Sequence, residues 1–80
     1  MNEQAPIIGE LIHNKLKEEG RTTLWLAKKM CCDQSNIYKI FKKIDMDTRQ
    51  LTQISIIMEF NFFDYYSQFV RENIEKKDKK

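Results

Sequence analysis

Apolar residues return along this chain at helical intervals, in five successive stretches. In the first, Ile7, Ile8, Leu11, Ile12 and Leu16 recur three and four apart, which places them on one side of a helix. Pro6 suits the first helical position, where a missing N–H costs nothing, and Gly20 suits the C-terminal stop. Helix 1 is therefore predicted over about residues 6–19. Thr22 and Thr23 both offer N-caps for a second helix over about 24–31, and Thr23 fits better. Its inward stripe is Leu26, Ala27 and Met30. Cys31-Cys32-Asp33 reads as a tight connection, with Asp33 as a strong cap for helix 3. In that helix, over about 33–42, Ile37, Ile40 and Phe41 point one way. Gln34, Ser35, Tyr38, Lys39 and Lys42 point the other way, and none of them is acidic.

Lys43 to Met46 reads as a linker. Asp47 with Gln50 three residues later fits a capping box, and Leu51, Ile54, Ile57 and Met58 give helix 4 its core side over about 48–59. Asn61 can cap a fifth helix, whose apolar stripe is Phe62, Phe63, Tyr66, Phe69 and Val70. The last ten residues hold one apolar side chain, Ile74, so the helix is expected to continue briefly and then fray. The pattern divides into a flexible arm at 1–5, a domain at 6–70 and a charged tail at 71–80.

Composition narrows the class. Eighty residues make one small domain. Two glycines and one proline are too few for a turn-rich β-sandwich or barrel, so the expected class is all-α. No apolar run approaches the roughly 18 residues of a membrane span. The segment MNEQAPIIGE lacks the basic start of a secretory signal, and a cytoplasmic location is expected. The two cysteines are adjacent, so a disulfide between them would be strained and would staple nothing. With one histidine, His13, there is no set of ligands for zinc. Cys32 reads as apolar filler and Cys31 as the more exposed of the pair. His13 reads as helix surface with no role.

Charge is uneven. From Arg21 to Lys43 there are six basic residues (Arg21, Lys28, Lys29, Lys39, Lys42, Lys43) against one acid, Asp33. That window carries +5 of a total of +2, so the rest of the chain sums to −3. A local basic field on a nearly neutral chain points to a polyanion-binding face. Two short helices joined by a tight corner, the second exposing polar and basic side chains, describe a helix-turn-helix. An α-helix fits the B-DNA major groove, where each base pair shows a distinct pattern of donors and acceptors.

The segment LAKKMCCDQSNIYKIFKK resembles the Cro/C1-type (XRE-like) helix-turn-helix family of phage and bacterial transcriptional regulators. Leu26-Ala27 match the family's Leu-Ala pair and Ile37 its inward isoleucine. The resemblance covers about residues 7 to 69 and implies a five-helix, lambda-repressor-like DNA-binding domain with the helix-turn-helix at helices 2–3. It implies a dimer on a near-palindromic, double-stranded operator. Residue by residue, it implies base contacts from Gln34, Ser35 and Lys39 and a phosphate contact from Thr23. Asn36, Tyr38, Lys42 and Lys43 would flank the groove. Thr23 stands where the family has Gln, and Cys31 where its turn has Gly. If Cys31 is left-handed, its side chain costs of order 1 kcal/mol.

Plainer readings stand beside these. The ridge of helix 3 can be ordinary solvated surface, Tyr38 can cover the edge of the core, and Lys28 and Lys29 read as solvated. Trp25 reads as packing on helix 1 or helix 5, with an interface anchor as the alternative. Six of nine aromatics fall within Phe60–Phe69. Aromatics nearly all round helix 5 would leave some exposed, so Phe62, Tyr65 and Phe69 are expected at a homodimer contact. The alternative function is an antitoxin-like or other protein-interaction module that uses this helix. No paired acid and base, Gly-rich phosphate loop or metal set points to an enzyme. No cofactor, membrane or small-molecule partner is expected.

Overall fold

The computed structural model describes residues 5–78, so the arm expected at 1–5 lies outside the described residues except for Ala5. All regular structure among the described residues is helical: α1 (Ile8–Glu18), α2 (Thr23–Met30), α3 (Gln34–Phe41), α4 (Thr48–Met58) and α5 (Phe63–Asp78). Four helices contribute short apolar faces to one core, and Phe63, Tyr65 and Tyr66 of α5 pack against it half-buried. Ile8, Ile12 and Leu16 come from α1, Leu26 and Ala27 from α2, and Ile37 and Ile40 from α3. Leu51, Ile54 and Met58 come from α4, and Phe62 from the residue before α5. No polar side chain is buried among the described residues. The interior is held by hydrophobic burial, and the polar groups remain at the surface.

The helix boundaries follow local chemistry, with some departures from expectation. α1 starts at Ile8, two residues after Pro6, because Ile7 is still extended (φ −97°, ψ 96°). Thr22, not Thr23, caps α2. Its backbone is extended and its Oγ1 accepts from the Trp25 N–H at 3.0 Å, which leaves the Thr23 hydroxyl for other use. Asp33 occupies the N-cap of α3 but makes no side-chain cap bond. Asp47 does cap α4, accepting from the Gln50 N–H at 2.7 Å. The reciprocal half of the capping box is replaced, since Gln50 Oε1 accepts from Lys43 Nζ at 3.2 Å. Asn61 Oδ1 accepts from the Phe63 N–H at 3.0 Å and starts α5.

Three helices end in a left-handed residue: Gly20 (φ 69°), Cys31 (φ 57°) and Glu59 (φ 53°). At each, the following N–H reaches back five residues. Arg21 donates to Leu16 O, Cys32 to Ala27 O and Phe60 to Ser55 O, at 3.0, 3.0 and 3.1 Å. This closes the helix end with Schellman geometry. Gly20 adopts it without strain, whereas Cys31 and Glu59 adopt it with a Cβ present.

The aromatic segment differs most from expectation. Phe62 is 0% exposed, packed edge-on to Phe60 and stacked on Tyr65. It is part of the core and, contrary to expectation, has no surface to offer a dimer contact. Phe60, Phe63, Tyr65, Tyr66 and Phe69 are all half-buried, so none of the six stands fully out in water. The exposed apolar residues of α5 are Val70 (52%) and Ile74 (55%). The helix does not fray soon after residue 70 but runs on to Asp78. Tyr66 lines a surface hollow with Met46, Leu51, Phe63 and Asp45. Burial first, and the Asp45 carboxylate second, push its hydroxyl pKa upward.

His13 also departs from expectation. Its ring lies flat on Phe41, with centroids 4.0 Å apart and planes 10° from parallel. It is half-buried and braces the end of α3 from α1. Trp25 lines a hollow with Glu19 and Arg21 beyond α1 and with Ile57 and Met58 of α4; no α5 residue shares that hollow. The Arg21 guanidinium lies 4.2 Å from its ring centroid.

Candidate nucleic-acid interface

α2 and α3 are eight residues each, joined by Cys31, Cys32 and Asp33. α3 separates its two faces cleanly. Ile37 and Ile40 are buried and Phe41 half-buried, whereas Gln34, Ser35, Asn36, Tyr38 and Lys39 are exposed, as are Lys42 and Lys43 just beyond. At about 100° per residue, Ser35, Lys39 and Lys42 form the crest of the ridge. Gln34 and Tyr38 lie on one flank and Asn36 on the other.

The flank toward α2 is hydrogen-bonded. Gln34 Nε2 donates to Thr23 Oγ1 at 2.7 Å, and the Tyr38 hydroxyl stands 3.5 Å from the same oxygen. Thr23 thus has an accepted proton from Gln34 and still holds its own hydroxyl proton to donate. The Tyr38 ring meets Phe41 edge-on, with centroids 6.1 Å apart and planes at 87°, yet Tyr38 remains 52% exposed. The two readings of Tyr38 are therefore not exclusive, since one edge covers Phe41 and the rest faces water.

The flank toward α4 is a shallow hollow of about 260 Å³ lined by Met30, Cys32, Asn36, Lys39, Ile40, Lys43 and Gln50. Gln50 is the member that the sequence pattern assigns to capping alone. Its contact to Lys43 spans a linker and seven positions, a separation that no helical period announces.

Electrostatics follow the same division. Arg21 sits within 3.9 Å of Glu19 and over Trp25, at the corner between α1 and α2. Lys29 is 6.0 Å from the Trp25 ring. Lys28, Lys39 and Lys42 make no ion pair among the described residues. Among the described residues the crest of α3 is thus cationic and carries no ion pair. Among the described residues no group of three or more His, Cys, Asp or Glu side chains could hold a metal ion, and no helix is long and apolar enough to cross a membrane.

The structure brings Thr23, Gln34 and Tyr38 into one cluster and Asn36, Lys39 and Lys43 into a second. Ser35 and Lys42 lie between the clusters and make no side-chain hydrogen bond among the described residues. Comparison of the chain with family models, with curated proteins and with solved structures finds no match in any of the three.

Proposed function

We propose that this protein binds double-stranded DNA in a sequence-specific way, with α2, the three-residue corner and α3 acting as a helix-turn-helix of the Cro/C1 type in a lambda-repressor-like domain. One observation carries the reading. α3 buries Ile37 and Ile40 while it holds Gln34, Ser35, Lys39 and Lys42 in water, and neither lysine makes an ion pair among the described residues. Glutamine addresses adenine edges and lysine addresses guanine in the major groove, and unpaired lysines release counterions from phosphate. The base-reading roles fall to Gln34, Ser35 and Lys39. Backbone contacts fall to Thr23, Asn36, Tyr38, Lys42 and Lys43.

Eight residues of helix span about 12 Å, enough for only a few base pairs. A second copy on a near-palindromic site would supply the rest of the specificity. Such a protein acts by occupancy, as a small cytoplasmic transcriptional regulator. Selection of bound duplexes from a random pool at stated salt tests the proposal. It predicts an enriched sequence with two-fold symmetry, and recovery of unenriched DNA would overturn it.

A second reading rests on Val70 and Ile74, which α5 leaves exposed four residues apart. Such a stripe fits a protein-interaction module working through α5. Titration with mixed-sequence DNA separates the two readings: perturbed amides in α3 support the first, and a silent α3 favours the second.

A further inference from the structure

We infer that Gly9 is a positioning residue for the candidate interface. Having no side chain, it lets the start of α1 seat the C-terminal end of α3, and so it sets where Lys42 and Lys43 meet a phosphate backbone. The inference rests on the DNA-binding reading above.

Gly9 lies inside α1 and is buried. A glycine there is unfavourable relative to alanine for the helix itself, and its φ is not in the left-handed region. Backbone freedom therefore does not explain it, but close approach does. An added Cβ would lie 2.6 Å from Ile40 O and 2.7 Å from Lys43 O, and closer still to Phe41 O. All three obstacles are backbone atoms and cannot rotate aside.

The approach has a reason in hydrogen bonding. The first N–H groups of α1 lack partners within their own helix. They find them in the segment just after α3: the Gly9 N–H donates to Lys43 O at 2.9 Å, and the Ile8 N–H donates to Ile44 O at 3.3 Å. The partly positive start of one helix faces the partly negative end of the other. At the opposite end, α3 is tied to α2 by Gln34 and Thr23. A methyl at position 9 would push out the last turn of α3 while the first turn stayed anchored. The helix would tilt, and Lys42 and Lys43 would move while Gln34 did not.

The test compares the original chain, Gly9→Ala and Gly20→Ala on a mixed-sequence duplex of known length across a range of salt concentrations. Gly20→Ala is the control for stability. It strains a left-handed residue with open space around it and touches no part of the seat. Each lost phosphate contact flattens the slope of log K against log salt by about 0.9. Gly9→Ala is expected to flatten the slope by about one unit or more and to weaken binding at 0.1 M salt by roughly tenfold per lost contact. Gly20→Ala is expected to keep the original slope. A Gly9→Ala slope equal to the original overturns the inference.

If Gly9→Ala does not fold, a synthetic chain with a backbone ester in place of the Ile8–Gly9 amide removes the N–H given to Lys43, a matching ester at the Glu19–Gly20 linkage controls for the weaker ester carbonyl, and the same slope decides. Failure of the original chain to bind any duplex sinks the DNA-binding reading itself. Binding with unchanged slopes sinks only the role of Gly9.

Discussion

The side-chain amide of Gln34 donates to the hydroxyl of Thr23 across 2.7 Å, joining the first residue of α3 to the first residue of α2. One N–H of Gln34 is thereby occupied, while its carbonyl oxygen and second N–H make no other hydrogen bond among the described residues. The glutamine is held in one orientation before any ligand arrives, and such pre-organisation lowers the entropy cost of binding. Thr23→Val keeps the shape of the side chain and removes the hydroxyl. It is expected to change stability by no more than about 1 kcal/mol, the worth of an exposed neutral hydrogen bond. In DNA binding, a double-mutant cycle of Thr23→Val with Gln34→Ala is expected to show a coupling of about 0.5 kcal/mol or more. Strict additivity would mean that the two residues do not act together.

Lys39 and Lys42 lie on one crest but are expected to behave differently. Lys39→Ala should relax preference at one base position, at a cost of about 1–3 kcal/mol for the preferred base. Lys42→Ala should weaken all sequences alike and flatten the salt slope by nearly one unit. Binding of every operator variant with the same relative affinity after Lys39→Ala would remove its base-reading role.

Cys31 ends α2 at φ 57°, ψ 47°, a conformation that disfavours any residue with a Cβ. Cys31→Gly is expected to stabilise the fold, by up to about 1 kcal/mol, less the greater entropy that glycine brings to the unfolded chain. Glu59→Gly should act in the same direction for the same reason. Urea unfolding measures both, and a loss of stability in both variants would contradict the strain argument.

Phe62 has no exposed surface, so Phe62→Ala should cost about 3–5 kcal/mol. That is a large part of the 5–15 kcal/mol typical of a small domain. Circular dichroism should show a sharply lowered midpoint or an unfolded chain. Val70→Asp and Ile74→Asp should leave stability nearly unchanged, because both side chains stand in water. If α5 forms a homodimer contact, sedimentation at high micromolar concentration should show self-association that these two substitutions abolish.

Burial and the neighbouring Asp45 raise the pKa of Tyr66 above its ordinary value of 10.0. Below pH 10 the group is protonated in both folded and unfolded chains and contributes no pH dependence. Above that value the unfolded chain gives up the proton while the folded chain retains it, so stability falls as pH rises. Tyr66→Phe removes this part of the alkaline loss. Denaturation curves of the two proteins across pH 9 to 11 should therefore differ in slope, with the shallower decline in Tyr66→Phe.

The apolar periodicity alone determined the five helices found among the described residues, that Ile37 and Ile40 point inward, and that Gln34, Ser35, Lys39 and Lys42 point outward. Those features depend on residues three and four apart, which a linear pattern records directly. Only the tertiary structure decided the rest, because it depends on atoms that are distant in the chain. The seat of α3 on Gly9 joins positions more than thirty residues apart through backbone carbonyls, which leave no mark in side-chain pattern. The stacking of His13 on Phe41 and the tie of Lys43 to Gln50 arise in the same way. Phe62 shares a stripe with its aromatic neighbours, and only the packing of the other helices around it put it in the core and left Val70 and Ile74 in water.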